Sequence, residues 1–107
     1  MELKELLKFI EWESKRIKKH FGHGQNERER TLARTVKMSE EVGELCQEVL
    51  ASFKNQRPEK MPGHSRDTLS EEFADVIITT LLLAEVMNID IEKALAKKAE
   101  KIKGRKY

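Results

Sequence analysis

The chain has one cysteine, two prolines, one tryptophan and one tyrosine among its 107 residues. A lone Cys46 forms no intramolecular disulfide, so a reducing, cytoplasmic setting is the expectation. Its place inside a helical pattern marks it as a small buried hydrophobe rather than a nucleophile. Charge of one sign is missing too: 21 basic residues stand against 19 acidic ones, a net charge of +2. That balance argues against a nucleic-acid polymer as partner, though not against a nucleotide. No apolar run is long. VIITTLLLA (76–84) falls well short of a bilayer span, so no membrane partner is expected. The amphipathic, acid-containing MELKELLKFIEW (1–12) is not read as a signal peptide.

What is present is helical periodicity in a chain sized for one domain, residues 1–107. The first segment, about residues 2–20, spaces Leu3, Leu6, Leu7, Ile10 and Ile17 along one face, with Phe9 and Trp12 beside them. FGHGQN (21–26) ends it, since two glycines in three residues rarely continue a helix. The second segment runs from Glu27 to Phe53 with Asn26 as N-cap. Met38, Val42, Leu45 and Val49 form its main stripe. Leu32, Val36, Cys46 and Leu50 widen it, so this helix is expected to touch more than one neighbour. Both prolines fall in KNQRPEKMPGHSRD (54–67), which reads as a loop. The third helix is expected from Thr68, with Thr68 and Glu71 as a capping box, and is apolar on all sides beyond Asp75. After the MNID turn, Asp90 caps a fourth helix to Lys103, with Ile91, Leu95, Ala99 and Ile102 inward. The expected architecture is an all-α four-helix bundle, completed by a second copy because the third helix is so apolar.

The chemistry lies in two acidic pairs. Glu41 and Glu44 are three residues apart, as are Glu72 and Asp75, so each pair shares a helix face. Glu41 sits at the edge of the buried stripe, about 50–70° from it. Asp75 shares its face with Thr79, Leu82 and Val86, which points it into packing. Carboxylates placed so repel unless a cation intervenes, and hard oxygen ligands suit Mg²⁺, with Mn²⁺ possible. A ferritin-like di-iron site needs Glu-x-x-His, and no glutamate here has a histidine three residues on. His20 and His23, at a helix end beside glycines, are read as incidental, and His64 as uninformative.

EEVGEL (40–45), EEFADV (71–76) and NIDIEKALAKKAEKIKGR (88–105) resemble the MazG-type nucleotide pyrophosphohydrolases. The likeness covers about residues 28–105 and is nearest to the short single-domain members. It implies an all-α NTP pyrophosphatase fold in a homodimer or homotetramer. It also implies Mg²⁺-dependent hydrolysis of a nucleoside triphosphate to the monophosphate and pyrophosphate, as in the clearance of non-standard nucleotides. Glu41, Glu44, Glu72 and Asp75 would be the metal ligands. Glu40 and Glu41 would be the catalytic carboxylates, Glu40 in the outer sphere or orienting water. Lys37, Lys98 and Lys101 would meet the phosphates, with Arg105 a weaker candidate. Trp12 lies where the family can form its base pocket, although a core or interface role suits it better. Ile102 stands where an Asn often follows the second lysine, which removes one polar contact. Two other readings stay open: a superfamily relative acting on phosphoribosyl-ATP, dUTP or dCTP, and a non-catalytic helical oligomerisation module.

Overall fold

A computed structural model describes residues 1–53 and 65–107. Helices occupy Leu3–Phe21 (α1), Glu27–Ser52 (α2), Arg66–Val86 (α3) and Ile91–Lys103 (α4). The described residues contain no strand, and the all-α expectation holds. The loop expected at 54–67 lies outside the described residues except for its last three.

Local chemistry sets the boundaries. Asn26 accepts from the Glu29 backbone N–H at 2.8 Å while the Glu29 side chain accepts from the Asn26 N–H at 3.2 Å. This reciprocal box satisfies two donors that a helix start leaves open. The third helix begins two residues earlier than the sequence suggests. Ser65, not Thr68, is the N-cap, and Thr68 closes the box by accepting from the Ser65 N–H at 2.7 Å. A hydroxyl three residues on does the work expected of a glutamate. Asp90 caps α4 through the Lys93 N–H at 3.1 Å.

α3 is the central helix. Its N-terminal half meets α2: Thr68 donates to Glu48, and Glu72 and Asp75 approach Glu41. As numbers rise on α2 they fall on α3, so the two run antiparallel. α1 lies along α3 in the same direction. Ile10 clusters with Leu81 and Leu82, and one turn on Ser14 donates to Glu85. Ile10 is 1% exposed and is the most deeply buried apolar side chain among the described residues.

Two expectations about packing fail. α4 joins the core through Ile91, but Leu95 and Ile102 stay 51% and 44% exposed, and Ala99 is exposed as well. The turn after α3, with Asn88 at φ 56°, ends the antiparallel run, and beyond Ile91 the apolar stripe of α4 stays exposed among the described residues. Cys46 is exposed rather than buried, because it faces away from α3.

Candidate metal centre

Glu41 on α2 faces Glu72 and Asp75 on α3, and one carboxylate oxygen from each lies within 4.8 Å of the others. The spacing of the pairs explains this. Glu72 and Asp75 are adjacent on α3, and antiparallel packing brings their face to Glu41. Glu41 is 7% exposed and Glu72 is half-buried, whereas Asp75 is exposed. The expectation that Asp75 points into packing is therefore corrected. α1 covers α3 at Ile78, Leu81 and Leu82, and Asp75 lies before that stretch.

Burial leaves the cluster electrostatically unsatisfied. Glu41 Oε2 and Glu72 Oε2 are buried without a hydrogen-bond partner among the described residues. Burial raises the Glu72 carboxyl above its ordinary value, and the charges of Glu44, Asp75, Glu41 and Glu48 raise it further. Glu44 is raised chiefly by the charge of Glu41, then by partial desolvation and a hydrogen bond with Glu41. Glu44 thus adjoins the cluster but is not among the three that converge. Lys37 is the counter-charge at hand. Its Nζ lies 3.3 Å from Glu41 Oε1 and 3.7 Å from Glu40 Oε2, and its hydrogen bond with Glu41 raises its pKa. Glu40 is exposed at the edge of this pair.

The donor set is oxygen only, it carries surplus negative charge, and two of its buried oxygens want a positive partner. Those are the properties of a hard divalent cation site, and the residues fit Mg²⁺ or Mn²⁺.

The other sequence candidates are not gathered here. Lys98 and Lys101 are exposed on α4, and among the described residues neither forms an ion pair with the cluster. Trp12 is 53% exposed and packs against Phe9 at 5.9 Å, with Arg16 4.5 Å from its ring centre.

A cleft of about 500 Å³ opens towards the C-terminal end of α3, between α1 and α2. Ser14, Lys18, Phe21, Arg30, Arg34 and Glu85 are among its lining residues. Sequence reasoning missed it. One signal was there: Arg34 stands seven residues before Glu41, so both share the inner face of α2, about 10 Å apart along the axis. Glu48, seven residues after Glu41 and tied to Thr68 at 3.2 Å, was missed in the same way.

Fold and site define a class: an all-α protein whose paired helices converge carboxylates suited to a divalent cation. The MazG nucleotide pyrophosphohydrolase domain model matches residues 28–107, and the chain belongs to that family. The matched span starts after α1, so the α1 wall of the cleft lies outside it. No curated protein and no solved structure gives a significant match.

Proposed function

We propose that the chain is a Mg²⁺-dependent nucleoside triphosphate pyrophosphohydrolase, converting NTP or dNTP and water to the monophosphate and pyrophosphate. The observation that carries this reading is the convergence of Glu41, Glu72 and Asp75 with two orphaned buried oxygens. Family membership supplies the reaction class.

Glu41, Glu72 and Asp75 would hold the cation, with Glu44 next in reach. When bound, Mg²⁺ neutralises triphosphate charge and acidifies a coordinated water. Lys37 exchanges its contact with Glu41 for a phosphate oxygen. Glu40, exposed beside it, orients the attacking water and accepts its proton. The water oxygen bonds to the α-phosphorus, the bond from that phosphorus to the bridging oxygen breaks, and pyrophosphate leaves with the electron pair. No covalent nucleophile is needed. The nucleoside occupies the cleft beside Arg34, within reach of a triphosphate anchored at Glu41. Cleft volumes of this order suit small-molecule ligands. Lys98 and Lys101 are proposed as further phosphate contacts on the strength of the family segment they occupy. Trp12 is assigned to packing with Phe9 and Arg16. Clearance of non-standard nucleotides in the cytoplasm is the role this reading suggests.

The test is pyrophosphate release from a panel of standard and damaged nucleoside triphosphates, with Mg²⁺ and with EDTA, beside Asp75→Asn. Cation-dependent release that the variant loses supports the reading. Release by the variant at the wild-type rate would sink the site, and no release from any substrate would sink the reaction.

A further inference from the structure

The cleft holds two half-buried side chains of opposite charge type that do not neutralise each other. Glu85 stands on its α3 wall and Arg34 on its α2 wall. Among the described residues no ion pair joins them, and Arg34 has no hydrogen-bond or ionic partner. Charges kept apart in this way cost desolvation that a ligand contacting both would offset.

Glu85 is held in place. Ser14 of α1 donates to its Oε2, and Oε1 has no hydrogen-bond partner among the described residues. A carboxylate has about four lone-pair sites, so Ser14 leaves most of the accepting capacity to the cleft. Ser14 precedes residue 28, so this contact comes from the part of the chain that the family model does not match. Arg34 is the complement of Glu85: a planar fork that only donates. Arg30, one turn earlier, is anchored through Nη1 to the Gln25 carbonyl at 2.5 Å. Glu27, the other acid lining the cleft, is exposed in the first turn of α2, and no contact among the described residues fixes its side chain.

The helix register sets acceptor and donor across from each other. Thr68 faces Glu48, and Asp75 faces Glu41. Continued along both helices, that register brings Glu85 opposite the turn of α2 between Arg30 and Arg34. Glu85 lies ten residues beyond Asp75, about 15 Å along α3. A nucleotide whose phosphates sit at the acidic cluster therefore presents its base between Glu85 and Arg34.

The bases differ in what they offer such a pair. Guanine alone among the common bases combines two adjacent N–H donors, N1–H and N2–H, with two adjacent acceptors, O6 and N7. Adenine and cytosine set a ring-nitrogen lone pair beside the amino group, and that lone pair would face the carboxylate. Uracil, thymine and hypoxanthine offer one N–H beside a carbonyl. We propose that the cleft selects guanine nucleotides, with Glu85 accepting from N1–H and N2–H and Arg34 donating to O6 and N7. The orientation of the nucleotide rests on the triphosphate reaction proposed above. Ser14 is a positioning residue that acts through Glu85.

The test compares guanine with hypoxanthine, which differs only by lacking the amino group. In EDTA, calorimetry on the wild type is expected to show GMP bound at least about tenfold more tightly than IMP, the worth of one hydrogen bond to a charged acceptor. With Mg²⁺, kcat/KM for GTP is expected to exceed that for ITP by the same factor and that for UTP by about a hundredfold. Glu85→Gln keeps an oxygen for Ser14, so its helical circular dichroism is expected to be unchanged while the preference for GMP over IMP drops below about threefold. Arg34→Ala is expected to weaken GMP and IMP alike, since both carry O6 and N7, and to leave the ratio between them intact. Equal binding of GMP and IMP by the wild type overturns the proposal, and so does a Glu85→Gln variant that keeps the preference. A variant that weakens every nucleotide to the same degree also overturns it, because Glu85 then only ties α3 to α1. No pyrophosphate release from any triphosphate sinks the reaction proposed above, whereas the monophosphates decide base selection by themselves.

Discussion

Glu41 of α2 and Glu72 of α3 each bury one carboxylate oxygen that meets no hydrogen-bond donor among the described residues, and the two side chains converge with Asp75 to within 4.8 Å. Leaving such groups unpaired costs stability, and proteins tolerate the cost where a ligand relieves it.

Substitution at this pair should separate activity from stability. Glu72→Gln and Asp75→Asn are each expected to lower pyrophosphate release by more than about a hundredfold. Glu72→Gln adds an amide donor beside the orphaned oxygen of Glu41. The cation-free variant is therefore expected to gain about 1 kcal/mol, or roughly 4–8 °C in melting temperature. Paired assays and thermal melts in EDTA check both. A variant that loses both activity and stability would show a structural acid instead.

The pH dependence has a definite sign. Glu44 and Glu72 both titrate above the ordinary carboxyl value of 4.5 in the cation-free protein. The folded chain therefore holds these protons better than the unfolded chain does. Their contribution is fully present below the unfolded value and is lost as pH rises through the raised folded values. In EDTA, the melting temperature of the wild type relative to Glu72→Gln should fall from pH 4.5 upward. Excess Mg²⁺ should reverse the trend near neutrality. Saturation at a hundred times the dissociation constant adds about 2.7 kcal/mol. A flat difference between wild type and variant across that range counts against the buried cluster.

Lys37 and Arg34 divide the substrate between them. Lys37→Met is expected to raise KM for the triphosphate about tenfold while cation binding tightens, because Glu41 loses a competing charge. Arg34→Ala is expected to raise KM to a similar degree with cation affinity unchanged, because it lines the cleft rather than the cluster. Steady-state kinetics together with calorimetric Mg²⁺ titration distinguish the two. Lys37 is half-exposed, so its loss should change stability by less than about 1 kcal/mol.

Ile10 is the anchor of α1. Truncation to alanine should cost about 3 kcal/mol, since it removes a side chain that is 1% exposed and packs with Leu81 and Leu82. Chemical denaturation measures this directly. Leu95→Ala on α4 is expected to cost under about 1 kcal/mol, because that side chain is already half-exposed.

The two acidic pairs were legible because helical spacing is local. Residues three apart share a face whatever the fold, so Glu41 with Glu44 and Glu72 with Asp75 could be read directly. The caps at Asn26 and Asp90 are local in the same way, while the Ser65 cap was misplaced because a hydroxyl stood in for the expected glutamate. The surroundings of these faces are not local. The antiparallel register of α2 on α3 decided that Glu41 joins Glu72 and Asp75 while Glu44 stays at the edge. The position of α1 along α3 decided that Asp75 remains exposed and that a cleft opens beside Arg34. The direction taken after Asn88 decided that the apolar stripe of α4 is left exposed among the described residues. By itself the sequence determined the four helices and the carboxylates that share each helix face. Only the tertiary structure decided which faces meet, because that depends on side chains distant in the chain competing for the same apolar surface.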